Sequence, residues 1–271
     1  MGAGSAPSAV AAPPPPRRSL RDRAPDLLIW GGVLVLLIAA ARPVEVGRIG
    51  QLFANSENMR QFGQQLVTPD FTHWRLYVAQ MWLTVLIALW GTALAVALAI
   101  PFGLACSRNI APPWIQQPMR LLMNLLRSIP DLVIGTLFVV AVGLGPFAGV
   151  MALALNTGGV LAKLFSEAVE AIDKGPVEGV RATGASRLEE VVWGVIPQVA
   201  PLWTSYALYR FESNARAATV LGLIGAGGIG QLLFDALNGF AYSQVGAIAI
   251  VIVAAVSLID LLSQAMRSRL L

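Results

Sequence analysis

The stretch Glu178-Gly-Val-Arg-Ala-Thr-Gly184-Ala-Ser186 is followed by one apolar run that ends at Ile196-Pro197. It lies between two long apolar segments of the chain. A segment with this many charged residues does not enter lipid, and a Gly near its centre permits a sharp turn between two short helices. The pattern predicts a charged helix-turn-helix on the cytoplasmic side of a membrane protein, where it offers a docking surface for another protein.

The composition of the whole chain supports a membrane protein. Hydrophobic residues make up 56% of it and charged residues 13%, whereas about a quarter of the residues are charged in an ordinary globular domain. Its 271 residues leave room for five or six spanning helices of about 20 residues each, and for no separate soluble domain. Together with the docking loop, this composition predicts a transporter subunit driven by a partner.

Apolar runs along the chain predict an all-α polytopic protein with six transmembrane helices. Residues 1–26, rich in Ala, Pro, Gly, Ser and Arg, are expected to form a disordered basic cytoplasmic tail. The first transmembrane helix is expected at 27–42, with a cleaved signal peptide as the alternative. An extracytoplasmic interfacial segment is expected at 43–75. The transmembrane core, 76–271, contains the other predicted spans, near Tyr77–Cys106, Met119–Leu144, Phe147–Phe165, Gln198–Leu223 and Val245–Leu262.

The distribution of positive charge predicts the orientation of these helices. Most of the 19 Lys and Arg residues fall on the side of the N-terminal tail, and only Arg48, Arg60 and Arg75 fall on the opposite side. Cytoplasmic loops carry the excess of Lys and Arg in membrane proteins. Both termini are therefore expected in the cytoplasm of a multi-pass protein of the bacterial cell membrane.

The third predicted span contains Arg127-Ser128-Ile-Pro130-Asp131. Charged residues inside a span are unfavourable in lipid and indicate a pathway or a paired structural site. Pro130 removes a backbone hydrogen bond and bends a helix, so this segment is a candidate to line a polar cavity. The alternative is that Arg127 and Asp131, four residues apart on one helix, only pair with each other.

A second polar group, Arg210-Phe-Glu212-Ser-Asn214-Ala-Arg216, lies in the fifth predicted span. Glu212 and Arg216 have the spacing of an ion pair along one helix face, but a pair alone does not explain the density of polar residues. A role at a cavity or a gate is favoured. If the cargo is an anion, Arg216 and Arg127 are the candidate counter-charges, because Arg recognises tetrahedral oxyanions with a planar fork of donors.

The glycine-rich segment that follows contains the pattern G-x-G-x-x-G. A dinucleotide-binding site requires a strand before this pattern and an acidic residue about 20 residues later, whereas here a predicted membrane helix precedes it and Ile250 occupies the later position. Backbone freedom and close helix approach at a bend are favoured instead. The residues predicted to form this flexible gate are Gly222, Gly225, Gly227, Gly228 and Gly230.

Catalytic and metal-binding patterns are absent from the sequence. It has no Walker-type loop for ATP and no H-E-x-x-H or G-x-S-x-G motif. The single His73 and single Cys106 do not form a metal-ligand set. We therefore expect no catalytic residue, no metal site, no cofactor in this chain and no nucleic-acid partner.

The stretch from Glu178 to Pro197 resembles the "EAA" loop of binding-protein-dependent ABC importer permeases, although Gly179 and Val180 replace its two alanines. The segments at Arg127–Asp131, Tyr209–Arg216 and Ala218–Gly230 resemble the phosphonate ABC transporter permease family in particular. The resemblance implies a coupling loop at 173–197 that seats in a partner ATPase. Its implied coupling residues are Glu178, Gly179, Arg181, Ala182, Gly184, Ala185, Ser186 and Pro197.

The resemblance also implies the MetI-like fold of type I ABC importer permeases, with two copies of the chain forming the pathway. An ATPase dimer would bind ATP and Mg, and an extracytoplasmic phosphonate- or phosphate-binding protein would deliver phosphonate, phosphate or phosphite. Alternating access would carry the cargo across. The alternatives are a permease for methionine or another amino acid and an ATP-independent proton-coupled carrier; a membrane-embedded enzyme is a third, which lacks its catalytic residues here.

Overall fold

The structure, a computed structural model, describes residues 20–54 and 56–269. The described residues form helices joined by short turns, as an all-α fold requires. Most of the predicted tail, residues 1–19, lies outside the described residues. The first helix, α1, runs Leu20–Ala41. This helix begins seven residues before the predicted apolar run, within the predicted tail. The disordered tail over residues 1–26 stays a prediction.

The chain divides into two compact units, residues Met1–Gln61 and Phe62–Leu271. In the first unit, α1 exposes large apolar side chains along much of its length, from Leu28 to Ile38. A 3₁₀ turn at Val46–Arg48 and helix α2, Ile49–Ala54, follow it. Helix α3, Ser56–Val67, begins in the first unit and ends in the second. The location of residues 43–75 at the extracytoplasmic surface of the membrane stays a prediction.

The second unit contains the remaining helices of the described residues. They are α4 (Trp74–Cys106), α5 (Pro113–Ser128), α6 (Asp131–Val142), α7 (Pro146–Glu170), α8 (Lys174–Ala182), α9 (Arg187–Glu189), α10 (Ile196–Gly222), α11 (Ile229–Asn238) and α12 (Tyr242–Arg267). A π-helical turn at Glu190–Val195 joins α9 to α10. The helix order agrees with the predicted order of apolar runs and with a polar loop between α7 and α10.

Three of the described helices, α4, α7 and α12, are long and apolar enough to cross a membrane. The pair α5 and α6 adds a fourth crossing if the two helices form one broken span. Helix α10 has 27 residues but is not among the apolar spans, and the apolar part of α1 is only Leu28–Ala41. The predicted count of six spans is therefore not confirmed, because α1 is short in apolar length and α10 carries charges.

The third predicted span is broken rather than kinked. Helix α5 ends at Ser128, Pro130 is the N-cap of α6, and the two helix axes differ in direction by 89°. Proline has no N–H to donate to the preceding turn, and it disfavours helical geometry at the residue before it, Ile129. The predicted bend at Pro130 is confirmed in this stronger form.

Small residues allow α4 and α7 to pack closely. A Cβ atom on Gly91 would lie 2.7 Å from the Leu153 Cβ, and one on Gly103 would lie 2.9 Å from the Phe165 Cβ. Small residues at helix interfaces are typical of membrane proteins, where close van der Waals packing replaces the hydrophobic effect between helices. The two helices form the centre against which α10 packs.

Candidate functional site

The loop between α7 and α10 is built from a series of local capping interactions. The Asp173 carboxylate caps α8 by accepting a hydrogen bond from the Gly175 N–H at 3.0 Å. Gly184 follows α8 with φ of +85°, a left-handed conformation that favours glycine. Ser186 then caps α9, and its N–H donates to the Glu189 carboxylate at 2.7 Å, which completes a capping box. The sequence thus specifies the predicted helix-turn-helix locally.

An exposed ion pair joins the two sides of this loop. The Arg181 guanidinium donates two hydrogen bonds of 2.9 Å to the two Glu190 oxygens. This bond holds the pKa of Glu190 below its usual range and raises that of Arg181. The N–H and hydroxyl of Ser186 lower the pKa of Glu189 in the same way. Both carboxylates are therefore charged at neutral pH.

The loop presents an apolar surface beside these charges. Leu188 is 74% exposed and Trp193 is 70% exposed. Trp193 borders a shallow groove of about 550 Å³. The other residues that line it are Gly179, Val180, Thr183, Gly184, Ala185 and Glu189. Three of the predicted coupling residues, Gly179, Gly184 and Ala185, thus line one groove. Sequence reasoning missed Trp193 because it falls within an apolar run.

A buried polar network connects α10 to α4 and α7. The Asn214 amide donates to the Thr92 hydroxyl at 2.8 Å and accepts from the Thr157 hydroxyl at 2.8 Å. Arg210 donates to the same Thr157 hydroxyl at 3.5 Å, and its buried Nε has no hydrogen-bond partner. Asn214 is only 1% exposed. We call Thr92, Thr157, Arg210 and Asn214 the inner polar network.

Another face of α10 carries a separate cluster of charges. One Glu212 oxygen forms an ion pair with Arg216 at 3.0 Å, and the other accepts a hydrogen bond from Arg267 of α12 at 3.5 Å. The Arg267 guanidinium also lies over the Tyr209 ring, 5.9 Å from its centroid. We call Tyr209, Glu212, Arg216 and Arg267 the Glu212 cluster. The predicted contact between Glu212 and Arg216 is present, and Asn214 lies off that face as predicted.

The structure separates Arg127 from Asp131. Arg127 is in the last turn of α5 and Asp131 begins α6, so the two residues are not on one helix. Both are described, and no ion pair joins them. The expectation that Arg127 and Asp131 pair along a helix face is wrong, because the chain breaks at Pro130. Arg127 and Ser128 are exposed.

The glycine-rich turn between α10 and α11 is tightly packed. A Cβ atom on Gly230 would lie 1.8 Å from the Thr219 carbonyl oxygen, and one on Gly222 would lie 2.8 Å from the Gly230 Cα. Three further glycines have positive φ: Gly225 at +91°, and Gly227 and Gly228 at +77°. The expected close helix approach is confirmed. Movement of this segment as a gate stays a prediction.

The polar clusters do not form a metal site. Among the described residues, no group of three or more His, Cys, Asp or Glu side chains is arranged to hold a metal ion. The polar groups that face one another are arginines, a carboxylate, an amide and two hydroxyls. This chemistry suits binding an anion or joining helices.

Residues 99–270 match the family described as "binding-protein-dependent transport system inner membrane component". The chain belongs to this family. The ABC permease thus identified is a transport subunit, and its several long apolar helices agree with a multi-pass location in the membrane. The predicted family resemblance is confirmed.

Two similar proteins are named for the transport of phosphorus compounds. The permease is 41% identical over 204 residues to a phosphite transport system permease of Stutzerimonas stutzeri, covering 75% of this chain and 74% of the relative. It is 60% identical over 117 residues to a protein of Escherichia coli (strain K12) named for a cryptic phosphonate transport system, covering 43% of this chain and 96% of the relative.

The fold of the permease is that of a known importer subunit. It matches a chain of the inward-facing MetNI methionine ABC transporter with a TM-score of 0.65 and 19% identity, covering 74% of this chain and 99% of that chain. At this identity the likeness concerns the fold alone. It confirms the predicted MetI-like fold of an ABC importer permease.

Five residues of the permease's two polar clusters are not among the predicted site residues: Thr92, Thr157, Tyr209, Arg210 and Arg267. Thr92 and Thr157 have no signature in sequence, because a hydroxyl in an apolar run is equally compatible with a bond to its own helix. Arg210 belongs to the polar run of the fifth predicted span, and its position in that run does not single it out. Arg267 lies at the end of a span, where basic residues are typical of topology, although its guanidinium reaches back to Glu212.

Proposed function

We propose that the permease carries phosphonate or a related phosphorus oxyanion, such as phosphate or phosphite, through the membrane by alternating access. The observation that carries this proposal is its similarity to relatives named for phosphite and phosphonate transport systems. Arg210 and Arg216 on α10 add a physical reason, since guanidinium groups match the oxygens of a tetrahedral oxyanion. The named candidates for the pathway remain Arg127, Ser128, Pro130, Asp131, Glu212, Asn214 and Arg216.

The pathway is proposed to form between two copies of the chain. Arg216 has a side chain that is 50% exposed in the C-terminal third of α10, and a charge exposed to lipid within a membrane-spanning helix is strongly unfavourable. A water-filled space between two copies removes this penalty. A loaded extracytoplasmic binding protein for the oxyanion would supply the cargo to that space.

ATP hydrolysis is proposed to occur on a partner ATPase dimer that binds ATP and Mg. The groove beside Trp193 and the exposed Leu188 offer the ATPase an apolar contact next to fixed charges, as protein interfaces often have. Pro197, in the first turn of α10, connects this docking surface directly to the helix that carries the inner polar network and the Glu212 cluster. A movement of the loop would therefore reach the pathway through one helix.

The loop is proposed to lie in the cytoplasm, together with both termini, in the cell membrane of a bacterium. The positive charges on the side of the N-terminal tail support this orientation. A reporter fused after Leu271 that is active only in the cytoplasm is the expected result, and activity only outside the membrane would contradict it.

Reconstitution in liposomes tests the function directly. Proteoliposomes contain the permease, its ATPase and its binding protein, and uptake of labelled methylphosphonate is measured with phosphate, phosphite and methionine as competitors. We expect uptake that requires all three components and ATP, and competition by phosphorus oxyanions only. Competition by methionine instead would favour an amino-acid importer, and uptake by the permease alone without ATP would favour a self-contained carrier.

A further inference from the structure

Glu212 is a buried carboxylate held by two arginines from different helices. Its side chain is 10% exposed, whereas those of Arg216 and Arg267 are 50% and 22% exposed. Each arginine bonds a different oxygen of the carboxylate, at 3.0 Å for Arg216 and 3.5 Å for Arg267. The cluster has two positive charges and one negative charge, so one arginine is available to a second anion.

The two arginines differ in how firmly the protein holds them. Arg267 has a second support, because its guanidinium lies over the Tyr209 ring and a cation is attracted to an aromatic face. Arg216 is bonded to Glu212 alone among the described ion pairs and is the more exposed of the two. If one arginine leaves the carboxylate, it is therefore Arg216.

A buried carboxylate that loses its only partner is strongly destabilised, because its charge is left without compensation in a medium of low polarity. Glu212 avoids this when Arg216 departs, since Arg267 still bonds its other oxygen. The second arginine thus lowers the free energy needed to free the first. A simple structural pair within α10 needs no such second arginine.

We propose that the Glu212 cluster is an exchange site for a phosphorus oxyanion. At rest, the Glu212 carboxylate pairs with Arg216 in place of the anion. The arriving oxyanion then binds Arg216, while Arg267 keeps Glu212 paired. When Glu212 returns, it displaces the oxyanion and releases it. This inference rests on the proposed function, and it assigns Arg267 as a positioning residue that acts on the cargo through Glu212.

The test uses the complete transporter in proteoliposomes, saturated with binding protein and methylphosphonate, and measures uptake and ATP hydrolysis together. In Arg267→Gln, departure of Arg216 leaves Glu212 unpaired. We therefore expect uptake per ATP to fall about tenfold, the factor that corresponds to the free energy of one hydrogen bond to a charged group. In Glu212→Gln, nothing displaces the cargo, so uptake and hydrolysis fall together and their ratio stays unchanged. In the double variant the ratio returns to that of Glu212→Gln.

Three control variants separate exchange from a general loss of structure. Arg269→Gln makes the same change at an exposed position two residues away and is expected to keep the wild-type ratio. Tyr209→Leu leaves the charges but removes the ring beneath Arg267, and should lower the ratio about threefold, as expected for loss of a cation–π contact. Should Arg267→Gln not assemble, Tyr209→Leu and Arg267→Lys, which keeps the charge and the ratio, still test the proposal.

Two outcomes overturn the inference while leaving the proposed function intact: an unchanged ratio in both Arg267→Gln and Tyr209→Leu, or an equal fall in Arg269→Gln. A lipid phosphate offers the same chemistry as the cargo, so the ratios are measured in vesicles with and without phosphatidylglycerol. Variant effects that appear only with this anionic lipid would assign the cluster to a headgroup and also overturn the inference. Failure of the wild-type transporter to take up methylphosphonate would instead refute the proposed function.

Discussion

The loop at 173–197 and the polar residues of α10 use polar side chains in opposite ways. In the loop, the bonds join residues close in sequence, such as Ser186 with Glu189 and Arg181 with Glu190, and the groups are exposed. On α10, Asn214 bonds Thr92, which lies 122 residues away, and both are buried. Exposed pairs contribute little to stability, whereas a buried network fixes the packing of helices. The loop keeps its polar groups at the surface, and the α10 network holds the helices in place.

Glycine substitutions are expected to show the largest difference in stability between the loop and the transmembrane core. Gly230→Ala forces a Cβ atom to 1.8 Å from the Thr219 carbonyl oxygen, a backbone clash that no side-chain movement relieves. We expect a loss of stability of about 3 kcal/mol or more, or no folded protein. Thermal unfolding in detergent and the yield of monodisperse protein measure this.

The matched control lies in the loop. A Cβ atom on Gly179 meets nothing within 4 Å, and Gly179 lies within α8, where alanine is favoured over glycine by about 1 kcal/mol. Gly179→Ala is therefore expected to leave thermal unfolding unchanged or slightly raise its midpoint. Equal destabilisation by both substitutions would contradict the difference in packing between the loop and the core.

The next effect concerns the inner polar network. Asn214→Ala removes the hydrogen-bond partner on α10 of the Thr92 and Thr157 hydroxyls, and with it two interhelical hydrogen bonds. We expect a loss of about 1–3 kcal/mol, since such bonds contribute about 0.6–1.7 kcal/mol each in membrane proteins. Urea or thermal unfolding in detergent micelles measures the change.

Replacing the three neutral residues of the network tests whether their mutual hydrogen bonds matter. The triple change Thr92→Val, Thr157→Val and Asn214→Leu removes these bonds together, and it is expected to recover part of the stability, because neither a hydroxyl nor the amide is left without a partner. The recovery is only partial because Arg210 loses its 3.5 Å contact with Thr157. Thr204→Ala is the control, since this exposed hydroxyl bonds only its own helix and should change little. A triple variant less stable than Asn214→Ala would contradict this account.

The same contrast explains what the sequence could predict. The loop's caps and turn lie within a few residues of one another, so Asp173, Gly184 and Ser186 specify the structure locally. The apolar runs likewise predict α4, α7 and α12. The inner polar network depends on which helices pack together, and Thr92 carries no mark of its partner in the sequence. Pro130 predicted a bend, but whether a proline bends or ends a helix depends on the packing of both halves.

Strain at the turn of the loop should affect coupling more than stability. Gly184 has φ of +85° in open space, so Gly184→Ala causes no clash, but a left-handed conformation is unfavourable for alanine by about 1–2 kcal/mol. The turn between α8 and α9 is then expected to change, and uptake per ATP hydrolysed to fall. Simultaneous uptake and phosphate-release assays in proteoliposomes measure this ratio.

A second glycine provides the control for strain. Gly143 has φ of +90°, also with nothing within 4 Å of a Cβ atom, but it ends α6, far along the chain from the loop. Gly143→Ala also strains the backbone, since its φ of +90° and ψ of 172° are adopted almost only by glycine, and it is expected to leave uptake per ATP unchanged. A similar fall in both variants would show that strain anywhere in the permease reduces coupling, and would remove the special role of Gly184.

The smallest expected effect is a pH dependence confined to the loop. The pKa values of Glu189 and Glu190 are held below their ordinary value of 4.5 by Ser186 and Arg181. The stabilisation from these bonds is present above that ordinary value and is lost as the pH falls through the lower pKa of the folded loop. A spin label at Leu188 should therefore keep its mobility from pH 7 down to the ordinary pKa value of 4.5 and become more mobile only at lower pH, whereas a label at Ala207 on α10 should not change. Glu189→Gln with Glu190→Gln should make the Leu188 label mobile at pH 7 and insensitive to acid. A change in mobility centred near pH 6 would assign the loop's order to some other group.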